Sequence, residues 1–93
     1  MIESFKHKGL KELFVVGRTT HLPQDRLSKI KKILFTIDSA VSIEDLKIPA
    51  FRLHKLKAPP YEGFWSIDIT GNYRVIFQFT NGIASNLNYL DTH

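Results

Sequence analysis

The sequence predicts an α+β domain in which N-terminal helices pack on one face of a small antiparallel sheet. Two observations support this. Apolar residues recur at helical spacing before Phe51 and at every second position after it. Two turn dipeptides, Gly71-Asn72 and Asn81-Gly82, then separate the alternating segments as hairpin turns would. The length of 93 residues suits one domain covering residues 1–93.

Two helices are predicted in the first half of the chain. The first covers residues 9–16, and Gly17 is a suitable stop. The second follows Pro23, and its apolar stripe consists of Leu27, Ile30, Ile33, Leu34, Ile37 and Val41. A capping-box pattern at residues 42–45 then predicts one short helical turn.

Four strands are predicted in the second half, over residues 51–56, 65–70, 73–80 and 83–90. In the two central strands the aromatic and aliphatic residues alternate with polar ones, so the aromatic side chains should form one buried sheet face. The segment 2–5 is a candidate edge strand.

Composition excludes several classes of protein. The chain contains no cysteine, so disulfide scaffolds, thiol nucleophiles and cysteine-ligated zinc are ruled out. No apolar run approaches the roughly 20 residues of a membrane span, and the start lacks the apolar core of a signal peptide. We therefore expect a soluble, cytoplasmic protein that does not bind membranes.

The charge distribution indicates an anionic partner. The net charge is +4, and residues 1–57 carry 12 of the 13 lysines and arginines. Such a basic region suits a nucleic acid or an acidic protein. The candidate RNA- or ribosome-binding residues are Arg26, Lys29, Lys31, Lys32, Arg52 and Lys55. For the residues of the second helix, a helix face exposed to solvent explains the positive charges equally well.

Five side chains could form a site for RNA cleavage if they converge at the open end of the sheet: His54, Lys57, Arg74, Asp91 and His93. Cleavage without a metal needs a base for the 2′-OH proton, an acid for the departing 5′-oxygen and cations around the phosphorus. Histidine performs either proton transfer near neutral pH, and arginine and lysine bind phosphate oxygens.

The same groups allow a second interpretation, a metal site made of two histidines and one carboxylate. His54, Asp91 and His93 would be its ligands. Because Lys57 and Arg74 would repel a divalent cation, we expect neither a metal nor a cofactor.

The ordered combination of the segments 2–10, 52–57, 63–77 and 91–93 resembles the HigB toxins, members of the RelE/ParE superfamily of type II toxin–antitoxin systems. This resemblance implies a RelE-like microbial RNase fold. It also implies ribosome-dependent, metal-independent cleavage of mRNA in the A site and inhibition of translation. A HigA-type helix-turn-helix antitoxin would neutralise the toxin, and the toxin would reach operator DNA only through that antitoxin.

The resemblance also implies roles for the five candidate residues. Asp91 or His93 would be the general base, His54 a general acid or base, and Lys57 and Arg74 the phosphate clamps. Thr92 stands where the family has tyrosine. A third possibility is therefore a toxin that has little activity but still binds its antitoxin. A ParE-like inhibitor of DNA gyrase, acting by protein binding without nuclease activity, is the alternative function on the same scaffold.

Overall fold

The computed structural model describes residues 1–92. It contains two α-helices and a four-stranded sheet: α1 Lys8–Val16, α2 Leu27–Ser39, β1 His54–Lys55, β2 Trp65–Asp68, β3 Tyr73–Thr80 and β4 Ile83–Asp91. The strands lie in the order β1-β2-β3-β4, and each adjacent pair is antiparallel. The predicted α+β meander is therefore confirmed. None of the helices described is long and apolar enough to cross a membrane.

The ends of α1 are set by two local features. At its start, Nδ1 of His7 accepts a hydrogen bond from the Leu10 backbone N–H at 3.2 Å and so satisfies one of the free amides of the first turn. At its end, Gly17 adopts a left-handed conformation with φ 74°, as the sequence predicts for a helix stop.

Helix α2 ends earlier than its predicted apolar stripe. Val41 lies outside the helix and is 80% exposed. The cause is the next turn, because the Asp45 carboxylate accepts hydrogen bonds from the N–H groups of Val41 and Ser42 at 3.0 and 3.2 Å. The predicted capping box is thus present, and it draws Val41 away from the helix.

The predicted strand over 51–56 is mostly wrong. Residues Pro49–Phe51 form a 3-10 turn, Arg52 adopts a left-handed conformation with φ 49°, and only His54–Lys55 pair as β1. Proline favours the first position of a helical turn, and the turn places Phe51 in the core with 1% exposure. Burial of this aromatic ring overrides the alternating pattern.

The two hairpin turns differ. Asn81 and Gly82 have φ of 52° and 79°, which confirms a tight turn with two left-handed residues. Gly71, in contrast, does not have positive φ. Strand pairing stops at Asp68 and Arg74, and the Thr70 hydroxyl accepts the next amides, so this connection is a wider loop and the predicted two-residue turn is wrong.

The N-terminal segment lies along the free edge of β4. Ile2 and Phe5 form isolated parallel bridges with Ala84 and Leu87. The predicted edge pairing is therefore present, although it consists of two bridges and no continuous strand.

The helices cover one face of the sheet, and the pairing register identifies the residues on each face. The helix-side face includes the predicted aromatic row, of which Phe77 is fully buried, while Trp65, Tyr73 and Phe79 are partly buried against the core. We call the opposite side the outer face. Its cross-strand rows contain His54, Ser66, Asp68, Arg74, Ile76, Asn88 and Leu90.

Candidate active site

Two of the predicted catalytic residues share the outer face. His54 pairs with Ser66, which pairs with Ile76, and Arg74 lies two residues before Ile76 on β3. Strands about 4.8 Å apart and a rise of about 3.4 Å per residue place the Cα atoms of His54 and Arg74 roughly 12 Å apart. Their side chains therefore lie on one face of the sheet, in neighbouring rows.

The orientation of the His54 ring is set by its own main chain. Nδ1 of His54 lies 2.9 Å from the carbonyl oxygen of Arg52. A carbonyl oxygen only accepts, so Nδ1 carries the proton and donates it. In the neutral ring Nε2 then keeps its lone pair, and the ring is exposed to solvent. The geometry makes Nε2 of His54 available as a general base.

Arg74 is half-buried and faces an acidic residue. Its Nε is buried and has no hydrogen-bond partner among residues 1–92. Directly opposite on β2 is Asp68, whose Oδ2 lies 3.5 Å from Nε of Arg52. The other Asp68 oxygen, Oδ1, is buried and also lacks a partner within the described chain. Sequence analysis did not identify Asp68 as part of the site.

Lys57 lies just beyond β1 in the loop that leads to β2, and it is exposed. The loop is closed by two backbone hydrogen bonds, from the N–H of Leu56 to the Phe64 carbonyl at 2.8 Å and from the N–H of Gly63 to the Leu56 carbonyl at 2.9 Å. These bonds hold the loop at the rim of the sheet, where Lys57 lies three residues after His54.

The structure does not place Asp91 on the face of His54 and Arg74. Asp91 pairs with Tyr73, and this row points to the helix side. It is, however, the last residue of β4, one row beyond Arg74, at the end of the sheet where the two faces meet. Thr92 continues the pairing through two hydrogen bonds to the Asn72 carbonyl, from its N–H at 2.8 Å and its hydroxyl at 2.9 Å. His93 lies outside the described residues.

A stack of rings occupies the helix side of the same sheet end. The Arg26 guanidinium lies 4.5 Å from the centroid of the Tyr73 ring, which stacks on Tyr89 at 5.6 Å. Tyr89 also contacts the His7 ring at 5.4 Å. Burial raises the pKa of Tyr89, so its hydroxyl stays neutral at physiological pH. Burial and, to a smaller extent, the neighbouring His21 lower the pKa of His7.

The six predicted RNA-binding residues have different surroundings. Nζ of Lys29 donates to the Ala50 carbonyl at 3.2 Å, whereas Lys31 lines an apolar groove between α1 and α2, and Lys32 is exposed. Nζ of Lys55 lies 5.4 Å from the Trp65 ring centroid. Arg26 belongs to the ring stack and Arg52 to the Asp68 ion pair, so these two hold partners that sequence analysis missed.

Within residues 1–92 no group of three or more histidine, aspartate or glutamate side chains is arranged to hold a metal ion. The metal interpretation would require His54 and Asp91 to converge, and the pairing register assigns them to opposite faces.

The fold is similar to that of YafQ from E. coli. The crystal structure of YafQ matches with a TM-score of 0.56 over 98% of this chain and 91% of that one, at 12% identity. A YafQ mutant structure matches with a TM-score of 0.54 at 11% identity. This similarity defines the fold as RelE-like.

The sequence comparisons define the family. A family model described as the RelE-like toxin of the type II toxin–antitoxin system HigB matches residues 3–93. The chain is 47% identical over 93 residues to the Endoribonuclease HigB of Proteus vulgaris, covering all of both chains. It is 31% identical over 94 residues to Toxin HigB-1 of Vibrio cholerae, covering 100% of this chain and 98% of the relative.

The chain therefore belongs to the HigB-like toxins of type II toxin–antitoxin systems, and an antitoxin is its partner. The resemblance noted from the sequence is confirmed, whereas the gyrase-inhibitor alternative is not supported by these matches.

Proposed function

We propose that this toxin is a ribosome-dependent, metal-independent endoribonuclease that cleaves mRNA in the A site and so inhibits translation. Family membership and the 47% identity to a protein named Endoribonuclease HigB support the ribonuclease activity. The observation that carries the proposal is the shared outer face of His54 and Arg74, with Nε2 of His54 available to accept a proton. Residues 1–93 act as one domain.

In the proposed reaction, Nε2 of His54 removes the proton from a ribose 2′-OH, and the 2′-oxygen attacks the adjacent phosphorus. The P–O5′ bond then breaks, leaving a 2′,3′-cyclic phosphate and a 5′-hydroxyl. Arg74 and Lys57 stabilise the negative charge on the phosphate oxygens. The second proton transfer, to the leaving 5′-oxygen, is assigned to Asp91 or His93, which donates a proton that it already carries. This reverses the general-base role expected for these two residues from the sequence. An RNA strand lying across the sheet end would meet Arg74 on one side and Asp91 on the other.

Dependence on the ribosome follows from the openness of this site. His54 on β1 and Lys57 in the loop that follows are both exposed to solvent, so the site offers little to hold an RNA strand in a reactive geometry. The ribosome would supply that positioning. The proposed contacts to ribosomal RNA and message are made by Arg26, Lys29, Lys31, Lys32, Arg52 and Lys55.

The proposed partner is a HigA-type helix-turn-helix antitoxin, and the pair would bind operator DNA through the antitoxin alone. Because its substrate is on the ribosome, the toxin would act in the cytoplasm.

The proposal is tested by mapping the 5′ ends of transcripts after brief induction, with and without a translation inhibitor. Wild-type toxin should produce translation-dependent cuts. His54→Ala and Arg74→Ala should each lower the cleavage rate on programmed ribosomes by a factor on the order of 100. Glu44→Gln, an exposed carboxylate change outside the sheet, is the control and should leave the rate unchanged. Full toxicity of His54→Ala would contradict the assigned role.

A further inference from the structure

We propose that Asp68 is a positioning residue that orients Arg52 and Arg74 as a two-arginine clamp for the scissile phosphate. This inference rests on the proposed nuclease function. It adds Asp68 to the site and assigns Arg52 a share in holding the phosphate beside Arg74.

The first support is the placement of the carboxylate. Asp68 lies directly across from Arg74 in the β2–β3 pair, and side chains opposite each other in such a pair have Cβ atoms about 4.5–5.5 Å apart. On its other side, Oδ2 of Asp68 is 3.5 Å from Nε of Arg52. Only 13% of the Asp68 side chain is exposed, whereas the side chain of Arg52 is 79% exposed. The carboxylate is thus a largely buried anchor between two cations.

The second support is a pair of unmatched atoms. Oδ1 of Asp68 and Nε of Arg74 are both buried, and neither has a hydrogen-bond partner among the residues described. Leaving a buried charged group unpaired is costly, and one hydrogen bond between these two atoms would satisfy both. We assign that bond to the substrate-bound state, in which Arg74 turns its Nε–H toward Asp68.

The bond would leave the terminal guanidinium nitrogens of Arg74 free. Arginine has five N–H donors in a rigid plane, so a carboxylate on the Nε side fixes the direction of the two Nη groups. Those groups then bind the phosphate oxygens. Asp68 also offsets the repulsion between the two guanidinium groups, which allows both to approach one phosphate.

The backbone at Arg52 serves the same arrangement. Arg52 is left-handed with φ 49°, an uncommon conformation for a residue other than glycine. Its carbonyl accepts from the His54 ring while its side chain reaches Asp68. One residue therefore links the proton-accepting imidazole to the proposed phosphate clamp.

The test compares Asp68→Asn, which has nearly the same shape without the charge, with Glu44→Gln, which removes an exposed charge elsewhere. On programmed ribosomes we expect Asp68→Asn to lower kcat by a factor of about 10 to 100, since small misplacements of catalytic groups have effects of this size. The KM should stay the same or fall, because an anionic group has left an RNA-binding face. An unchanged kcat, or a raised KM alone, would overturn the proposal.

A second measurement does not depend on cleavage. The chain has four arginines, so four Nε–Hε signals are expected in an ¹⁵N spectrum of the folded toxin. Asp68→Asn should shift the signals of Arg52 and Arg74, and titration with inorganic phosphate should move both signals in wild type but not in the variant. If the Arg74 signal does not respond to either change, the inference is wrong, even if the wild type cleaves mRNA. If wild type does not cleave, the proposed function fails while this spectrum still reports on the clamp.

Arg52→Gln is a second variant at an exposed side chain. Since it removes the ion-pair partner of Asp68, we expect the Arg74 signal to shift while the backbone amide spectrum stays that of the folded toxin. An unshifted Arg74 signal would show that the two arginines are not coupled through Asp68.

Discussion

The turn at Gly82 provides a sharp test of the structure. Its φ of 79° is a left-handed conformation, and a Cβ added there would lie 3.3 Å from the Val41 carbonyl oxygen. Left-handed backbone costs a residue with a Cβ roughly 1–2 kcal/mol. The close contact with Val41 adds to this. We therefore expect Gly82→Ala to lower the free energy of unfolding by about 2 kcal/mol. For a domain of this size, that change corresponds to a fall in Tm of about 8–16 °C.

The matched control is Gly71→Ala. Gly71 lies in the other predicted hairpin turn, but its φ is not positive and nothing lies within 4 Å of an added Cβ. Alanine at such a site restricts the unfolded chain and should stabilise the protein by about 0.4–1 kcal/mol.

Thermal unfolding followed by circular dichroism measures both variants. If Gly82→Ala melts within about 2 °C of wild type, a smaller change than the left-handed penalty allows, the account of this turn is wrong. A loss in Gly71→Ala equal to that in Gly82→Ala would show that the two loops are alike, as the sequence suggested, and would refute the geometry described here.

Three further predictions concern the helix-side ring stack and the basic residues. Burial lowers the pKa of His7 in the folded state, so the unfolded chain binds more protons below pH 6.5. Stability should therefore fall as the pH drops from 6.5 through the lowered pKa. Denaturant titrations should show a shallower fall for His7→Asn than for wild type, because asparagine does not titrate. Asparagine can still cap α1, so the helix is kept in the variant. Tyr89→Phe should raise the free energy of unfolding by about 1 kcal/mol in a thermal melt, because the buried hydroxyl has no partner in the described chain. Cleavage on programmed ribosomes should fall steeply between about 50 and 200 mM salt if the basic residues contact ribosomal RNA, and Lys32→Gln should make that fall less steep.

The sequence predicted the elements whose signals are local. The apolar stripe of α2 has a clear period, and Asn81-Gly82 supplies both left-handed residues of a tight turn. The strand over 51–56 failed because the decisive interaction is not local. Phe51 is buried against distant parts of the core, and that burial bends the chain into a 3-10 turn.

Strand parity was enough to predict which face of the sheet Arg74 occupies. Parity separated Arg74 from the aromatic residues of its strand, and the structure places it on the outer face. Asp68 was missed because the predicted turn at Gly71-Asn72 would place it opposite Val75, whereas the structure pairs it with Arg74. The observed pairing depends on the wider loop at residues 69–72, which shifts the register by one residue from that of the predicted two-residue turn.

The position of Asp91 depends on a bulge in β4. The register shifts by one residue between Ile76 and Gln78, where Asn86 takes a left-handed conformation with φ 55° that asparagine tolerates well. Ala84 and Leu87 are both fully buried although they are three residues apart, which strict alternation does not allow.

Beyond the bulge every side chain of β4 therefore points to the side opposite the one that counting from Ala84 would give. Asp91 comes to the helix side, next to Tyr73, while Arg74 stays on the outer face. The extra residue thus arranges the end of the sheet so that a cation and a carboxylate flank it from opposite sides. A substrate that uses both groups must cross this end, because a strand lying flat on the outer face would contact Arg74 but not Asp91.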